Sequence, residues 1–156
     1  MVIASMALAL SACSRQEASS GLNINEAKSQ AQEMEDSIAA LVPPEYVDSI
    51  DQVAHGNLMS CGTKSVQWYG HTYITLKGNP DFERVLRSIT AGVKHTHSDY
   101  DVRMGKRPSG TPRAEISGPF GAFYIAAPSP NESQYQIMSY SPCFELPDGM
   151  SLGDTY

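Results

Sequence analysis

Several scarcities narrow this chain. No hydrophobic run approaches the ~18 residues that a helix needs to cross a bilayer. Positive charge is thin, with 11 Lys and Arg against 17 Asp and Glu and a formal net charge of −6. That balance excludes the broad basic surface that nucleic-acid binding or a polybasic contact with anionic lipid would need. The 156 residues hold only 3 cysteines and one tryptophan. No CxxC pair occurs, and neither Cys61 nor Cys143 has a histidine at zinc-ligand spacing. GxSxG, HExxH, SxxK and the glycine-rich phosphate loop are all missing. The sequence therefore announces no nucleophile and no cofactor, and the expected role is non-catalytic.

What is present points to a globular body at a particular address. Hydrophobic residues make up 41% and charged residues 18% of the chain, a balance that favours a packed domain over disorder. Residues 2–10 are apolar except for Ser5, the length of a signal-peptide hydrophobic region. The run closes on Leu10-Ser11-Ala12-Cys13 and turns polar at once with Ser14, Arg15, Gln16 and Glu17. This resembles the lipobox of bacterial lipoproteins. The resemblance implies cleavage before Cys13, a diacylglycerol on its sulfur, and a protein anchored at the outer face of the cell membrane. Two acyl chains would hold it there where one is marginal. The first positive charge, Arg15, follows the cysteine rather than opening the chain, so a translation start further upstream is expected. The implied organisation is a signal peptide at 1–12, a lipidated Cys13 with a flexible tether to residue 23, and one globular domain at 24–156.

A broader likeness rests on the lipobox, the N-terminal helix, Leu58-Met59-Ser60-Cys61-Gly62 ahead of the strand that carries Trp68, and Ser141-Pro142-Cys143-Phe144-Glu145-Leu146-Pro147 near the end. Together these look similar to small uncharacterised lipoproteins of high-GC Gram-positive bacteria, a resemblance that implies no particular activity. Once Cys13 is given to lipid, Cys61 and Cys143 remain, and export to an oxidising compartment favours a bridge between them. It would close a loop of about 80 residues, worth about 4–5 kcal/mol on the chain-entropy view. It would tie together the two ends of the sheet. Two free thiols or a metal pair are the alternatives.

The domain reads as α+β. Ile24, Ala27, Ala31, Met34, Ile38 and Leu41 recur at helical spacing, which predicts a helix over 25–41 capped by Asn25 and stopped by Pro43-Pro44. Tyr46, Val47, Ile50 and Val53 allow a short helix before Gly56 or an irregular stretch. Residues 66–76 alternate strictly: Val66, Trp68, Gly70, Thr72, Ile74 and Leu76 should face the core, with Tyr69, His71 and Tyr73 outward. A second helix should open at Asn79-Pro80 and bury Phe82, Val85, Leu86, Ile89 and Val93. Short alternating runs at 100–104, 114–116, 122–127 and 135–140 then suit an antiparallel meander. The expected architecture is an antiparallel sheet of about five strands with one or two helices on one face.

Two clusters are candidates for function. Tyr69, His71 and Tyr73 form an outward aromatic row, which is either a recognition surface or ordinary packing beneath a helix or loop. The second cluster is His95, His97, Asp99 and Asp101. If the chain is extended there, these share one face and could bind a metal; otherwise they are a polar connection after a helix. His55, before Gly56, reads as a solvent-facing turn residue. The leading expectation is a lipid-anchored extracytoplasmic binding or accessory module for an envelope protein or small ligand. The alternative is a metal-binding or metal-dependent envelope protein using His95, His97, Asp99 and Asp101.

Overall fold

In the computed structural model the described residues are 19–130 and 134–156. The lipobox and the signal segment lie outside them. The expected tether is described only from residue 19, and there it is docked. Ser20 N–H donates to Cys143 O at 2.8 Å, and Leu22 packs against the cluster around Trp68.

Helix α1 spans Ile24–Ala39. Its cap is Asn23 rather than Asn25: the Asn23 side chain accepts from the backbone of Asn25 and Glu26, and Glu26 returns a bond to the Asn23 N–H at 2.9 Å. Both orphan donors at the helix start are thereby satisfied. Strand β1 (Val47–Gln52) follows where the sequence allowed a short helix before Gly56 or an irregular stretch, and β2 (Asn57–Ser60) comes after that glycine. Their partner decides the outcome. β3 (Ser65–Leu76) is 12 residues long, so β1 pairs with its second half and β2 with its first. Cross-strand bonding overrides the weak local preference of Asp48, Ser49 and Asp51.

Helix α2 spans Phe82–Thr96, with Asp81 rather than Asn79 as cap: Asp81 Oδ1 accepts from Arg84 N–H at 3.0 Å. Strands β4 (Asp101–Lys106), β5 (Pro112–Ser117), β6 (Phe123–Pro128) and β7 (Gln134–Tyr140) form the expected meander, and a two-residue β8 (Phe144–Glu145) returns to β3. Among the described residues the sheet thus has 8 strands, with the main path β1-β3-β7-β6-β5-β4 and β2 and β8 flanking the start of β3. All pairings are antiparallel. The class is α+β as expected, on a larger sheet.

Both helices pack on one face. α1 lies over β3 with its flanks on β1 and β7, and α2 lies over β4, β5 and β6. The core beneath them has two parts. The larger joins Met34, Ile38, Leu86, Ile89, Ile116, Tyr124, Tyr135 and Ile137. The smaller, under the first half of α1, gathers Ala27, Ala31, Leu58, Val66, Trp68 and Phe144. Gly70 belongs to that inward set because the Trp68 indole covers it, and a β-carbon there would collide with the ring.

The Cys61–Cys143 disulfide is formed, with a sequence separation of 82 and a Cα–Cα distance of 6.3 Å. It does not tie the two ends of the sheet. Cys61 sits in the β2–β3 turn and Cys143 between β7 and β8, so the bridge staples the ends of the neighbouring strands β3 and β7, one strand in from the β1–β2 edge.

Candidate binding face

Alternation along β3 divides its side chains between two environments. Val66, Trp68, Gly70, Thr72 and Ile74 are buried beneath α1, while Tyr69, His71 and Tyr73 are half-buried on the opposite face. Among the described residues no helix lies on that face. Register extends the row across strands: Tyr69 stands opposite Tyr140 of β7, and Tyr140 opposite Phe123 of β6. The rings are continuous. Phe123 to Tyr140 is 6.2 Å between centroids, Tyr140 to Tyr69 4.8 Å, Tyr69 to His71 4.5 Å and His71 to Tyr73 6.0 Å. His71 faces Met138, and Met138 faces Ile125, which adds an apolar tier beside the rings.

The row is uncharged at neutral pH. Burial lowers the His71 pKa, and Gln136 Nε2 lies 3.1 Å from His71 Nδ1. An amide nitrogen only donates, so the imidazole accepts at Nδ1 and carries its proton on Nε2. Burial, reinforced by Tyr140, pushes the Tyr69 phenol up to about 12. Charge enters at two margins of the face: Asp51 of β1 stands opposite Tyr73, and an arginine–glutamate group lies on the β4–β5 side. Arg103 Nε donates to Glu115 Oε2 at 2.6 Å, and Arg113 donates through Nε and Nη2 to Glu115 Oε1 at 2.7 and 2.5 Å. The Arg113 bond is the main cause of a lowered Glu115 pKa.

The histidine–aspartate cluster does not assemble. α2 runs through Thr96, so His95 lies exposed in its last turn. His97 caps the helix with its ring 5.7 Å from Tyr100, Asp99 is in a turn, and Asp101 opens β4. The extended segment on which convergence depended is a helix end. Among the described residues no group of three or more His, Cys, Asp or Glu could hold a metal ion. His55 is exposed, as read from the sequence.

Two features were not singled out from the sequence. The cross-strand half of the row, Tyr140, Phe123 and Met138, requires the register of strands far apart in the chain. Glu35 is the other. It is completely buried between α1 and the sheet, accepting from Thr72 Oγ1 at 2.8 Å and from Ser139 Oγ. Its signal was available, because it sits four residues after Ala31 and three before Ile38, within the apolar stripe. The chain matches no protein-family model, no curated protein and no solved structure.

Proposed function

We propose that this chain is an exported, lipid-anchored binding module, held at the outer face of the membrane through Cys13, that uses its uncovered sheet face to engage a protein of the envelope. The observation that carries the reading is the row Phe123–Tyr140–Tyr69–His71–Tyr73, gathered on the sheet face that no helix among the described residues covers. A folded domain gains nothing in solubility from ordering five rings toward water. Rigid aromatic side chains offer contact area at little entropic cost. The occupant is a protein surface presenting apolar and aromatic side chains, since the row is neutral and its charged residues lie at the margins. The lipid anchor would concentrate the module beside membrane neighbours and so strengthen a modest intrinsic affinity. A nucleic-acid partner conflicts with the net charge of −6.

A photo-crosslinking residue placed at Tyr140 in the anchored full-length protein, in its own envelope, tests this. The expected result is a discrete crosslinked partner that disappears in Tyr69→Ala/Tyr73→Ala while circular dichroism stays native. It should persist in Lys94→Ala on the helix side. A folded double variant that keeps every partner would refute the assignment of this face. For the anchor, Cys13→Ala should release the protein from the membrane fraction, and unchanged retention would refute that part separately.

A further inference from the structure

The sheet ends in two bare edges, and they differ in kind. β1 uses one side of its backbone for β3, and β4 uses one side for β5. Among the described residues no backbone hydrogen bond reaches the outer side of either strand. β2, which continues the β1 edge along β3, is covered instead. Gly153 N–H donates to Leu58 O at 3.0 Å, Leu58 N–H donates to Asp154 O at 3.3 Å, and Asn57 bridges to Thr155. One part of this edge is therefore capped by the chain itself, and the part formed by β1 is left open.

The open edges are complementary. β1 carries Asp48 and Asp51 and no cation; β4 carries Arg103 and Lys106, with Arg107 just beyond, against the single Asp101. Asp48, Asp51 and Lys106 have no ion-pair partner among the described residues. Each edge also exposes one large apolar side chain, Ile50 at 48% and Met104 at 55%. Ile50 stands opposite buried Ile74 and Met104 opposite buried Ala114, so both project on the helix side. Asp51 stands opposite Tyr73 and Arg103 opposite Glu115, on the open side.

We infer that these edges pair between copies of this chain: β4 of one molecule takes β1 of the next, and the sheet continues from copy to copy. Direction permits it. The main path alternates through an even number of antiparallel strands, so its two edges run oppositely and a translated copy presents β1 antiparallel to β4. Both helix layers then fall on the same side, Ile50 beside Met104, with the aspartates facing Arg103 and Lys106. Sterics permit it too. α2 over β4–β5 and α1 over the next copy's β3 would be separated by about two and a half strand spacings, roughly 12 Å, against the 8–10 Å that packed helices need. Pairing like edges would set Asp48 and Asp51 against themselves, or Arg103 and Lys106 against themselves, which is the arrangement that edge charges normally prevent. Charge therefore selects the head-to-tail contact, which has no symmetry axis to close it at two copies. The aromatic face would repeat along such an assembly.

Light scattering of the full-length protein in mild detergent, over a range of concentrations, tests the inference. The mass per particle should climb past two copies without a plateau. It should fall back to one copy in about 1 M salt, where the screening length is about 3 Å. Two variants sharpen the test: Asp48→Lys/Asp51→Lys makes both edges basic, and Arg103→Glu/Lys106→Glu turns the β4 edge acidic. Each should be monomeric alone, and an equal mixture should assemble, because every contact in the mixture then joins opposite charges. A wild-type protein that stays at one copy at every concentration would overturn the proposal without reference to any variant. So would a plateau at two copies, or like-charged variants, shown folded by circular dichroism, that assemble as readily as the wild type.

Discussion

Replacing Glu35 by glutamine should remove a pH dependence of stability that the buried carboxyl imposes on the whole domain. Glu35 is inaccessible to solvent and surrounded by the Thr72 and Ser139 hydroxyls. Burial raises its pKa more than those hydrogen bonds lower it, and neighbouring Asp36 raises it further. Below the unfolded carboxylate value, near 4.3, the group is protonated in both states and has no effect on the pH profile. As pH rises, the unfolded chain ionises first, and folding must retain a proton. Stability then falls by about 1.4 kcal/mol per pH unit until the folded pKa is passed, and stays level above it. Glutamine keeps the shape of the protonated acid and its donor, without the titration. Urea midpoints measured at intervals from about pH 4 to about pH 8 should therefore separate the two proteins progressively, with Glu35→Gln the more stable at the upper end. Thr72→Val leaves the carboxyl one donor short, at about 1–3 kcal/mol, and should widen the gap at high pH. Parallel profiles for the wild type and Glu35→Gln would show that the carboxyl is solvated, and a wild type that gains on the variant as pH rises would show that its hydrogen bonds outweigh its burial.

Other outcomes follow from single features. Cys61→Ala/Cys143→Ala removes a bridge with a sequence separation of 82 and should lower unfolding free energy by about 4–5 kcal/mol, read from denaturant melts. The Tyr135 hydroxyl is buried with no hydrogen-bond partner among the described residues, so Tyr135→Phe should leave stability unchanged or raise it by up to about 1–2 kcal/mol. Glu115 has a lowered pKa, so its contribution is present above the unfolded carboxylate pKa and is lost as pH falls through the folded one. Glu115→Gln should therefore melt earlier than the wild type at neutral pH and match it in strong acid. The His71 pKa is lowered by burial; acidification through that value places a cation in the aromatic row and should weaken capture of the crosslinked partner, and His71→Gln should remove the acid sensitivity.

Local signals made part of this fold legible. The stripes of α1 and α2 and the alternation of residues 66–76 each carry their period within a dozen residues, and short connections implied the meander. β1, β2 and β8 were hidden because Val47–Gln52, Asn57–Ser60 and Phe144–Glu145 have no period of their own. They are strands because β3 is long enough to offer partners on both sides. Both caps were misplaced by two residues, since Asn23 and Asn25, like Asn79 and Asp81, satisfy the same preference and only geometry chooses between them. The candidate site divides in the same way. Tyr69, His71 and Tyr73 follow from alternation, whereas Tyr140 joins them only through the long-range register of β3 with β7, and Phe123 through the β6–β7 pairing with Tyr140. Convergence of His95 with His97, Asp99 and Asp101 presumed extended chain where α2 still had most of a turn to run.

Trp68, the sole tryptophan, lies wholly within the smaller core cluster, whereas the larger carries Tyr124 and Tyr135 and no indole. The two halves of the interior are thus optically distinct. Light absorbed by indole alone reports on the neighbourhood of Ala27, Leu58 and Phe144. There the Trp68 ring sits 5.7 Å from the Lys28 ammonium and its Nε1–H donates to Tyr156 O at 3.3 Å. Tyrosine emission includes the larger core through Tyr124 and Tyr135, and energy transferred from those two rings to the indole depends on the sheet that holds both clusters together. Without any added label, the chain can therefore show whether its two cores come apart at the same moment or in turn.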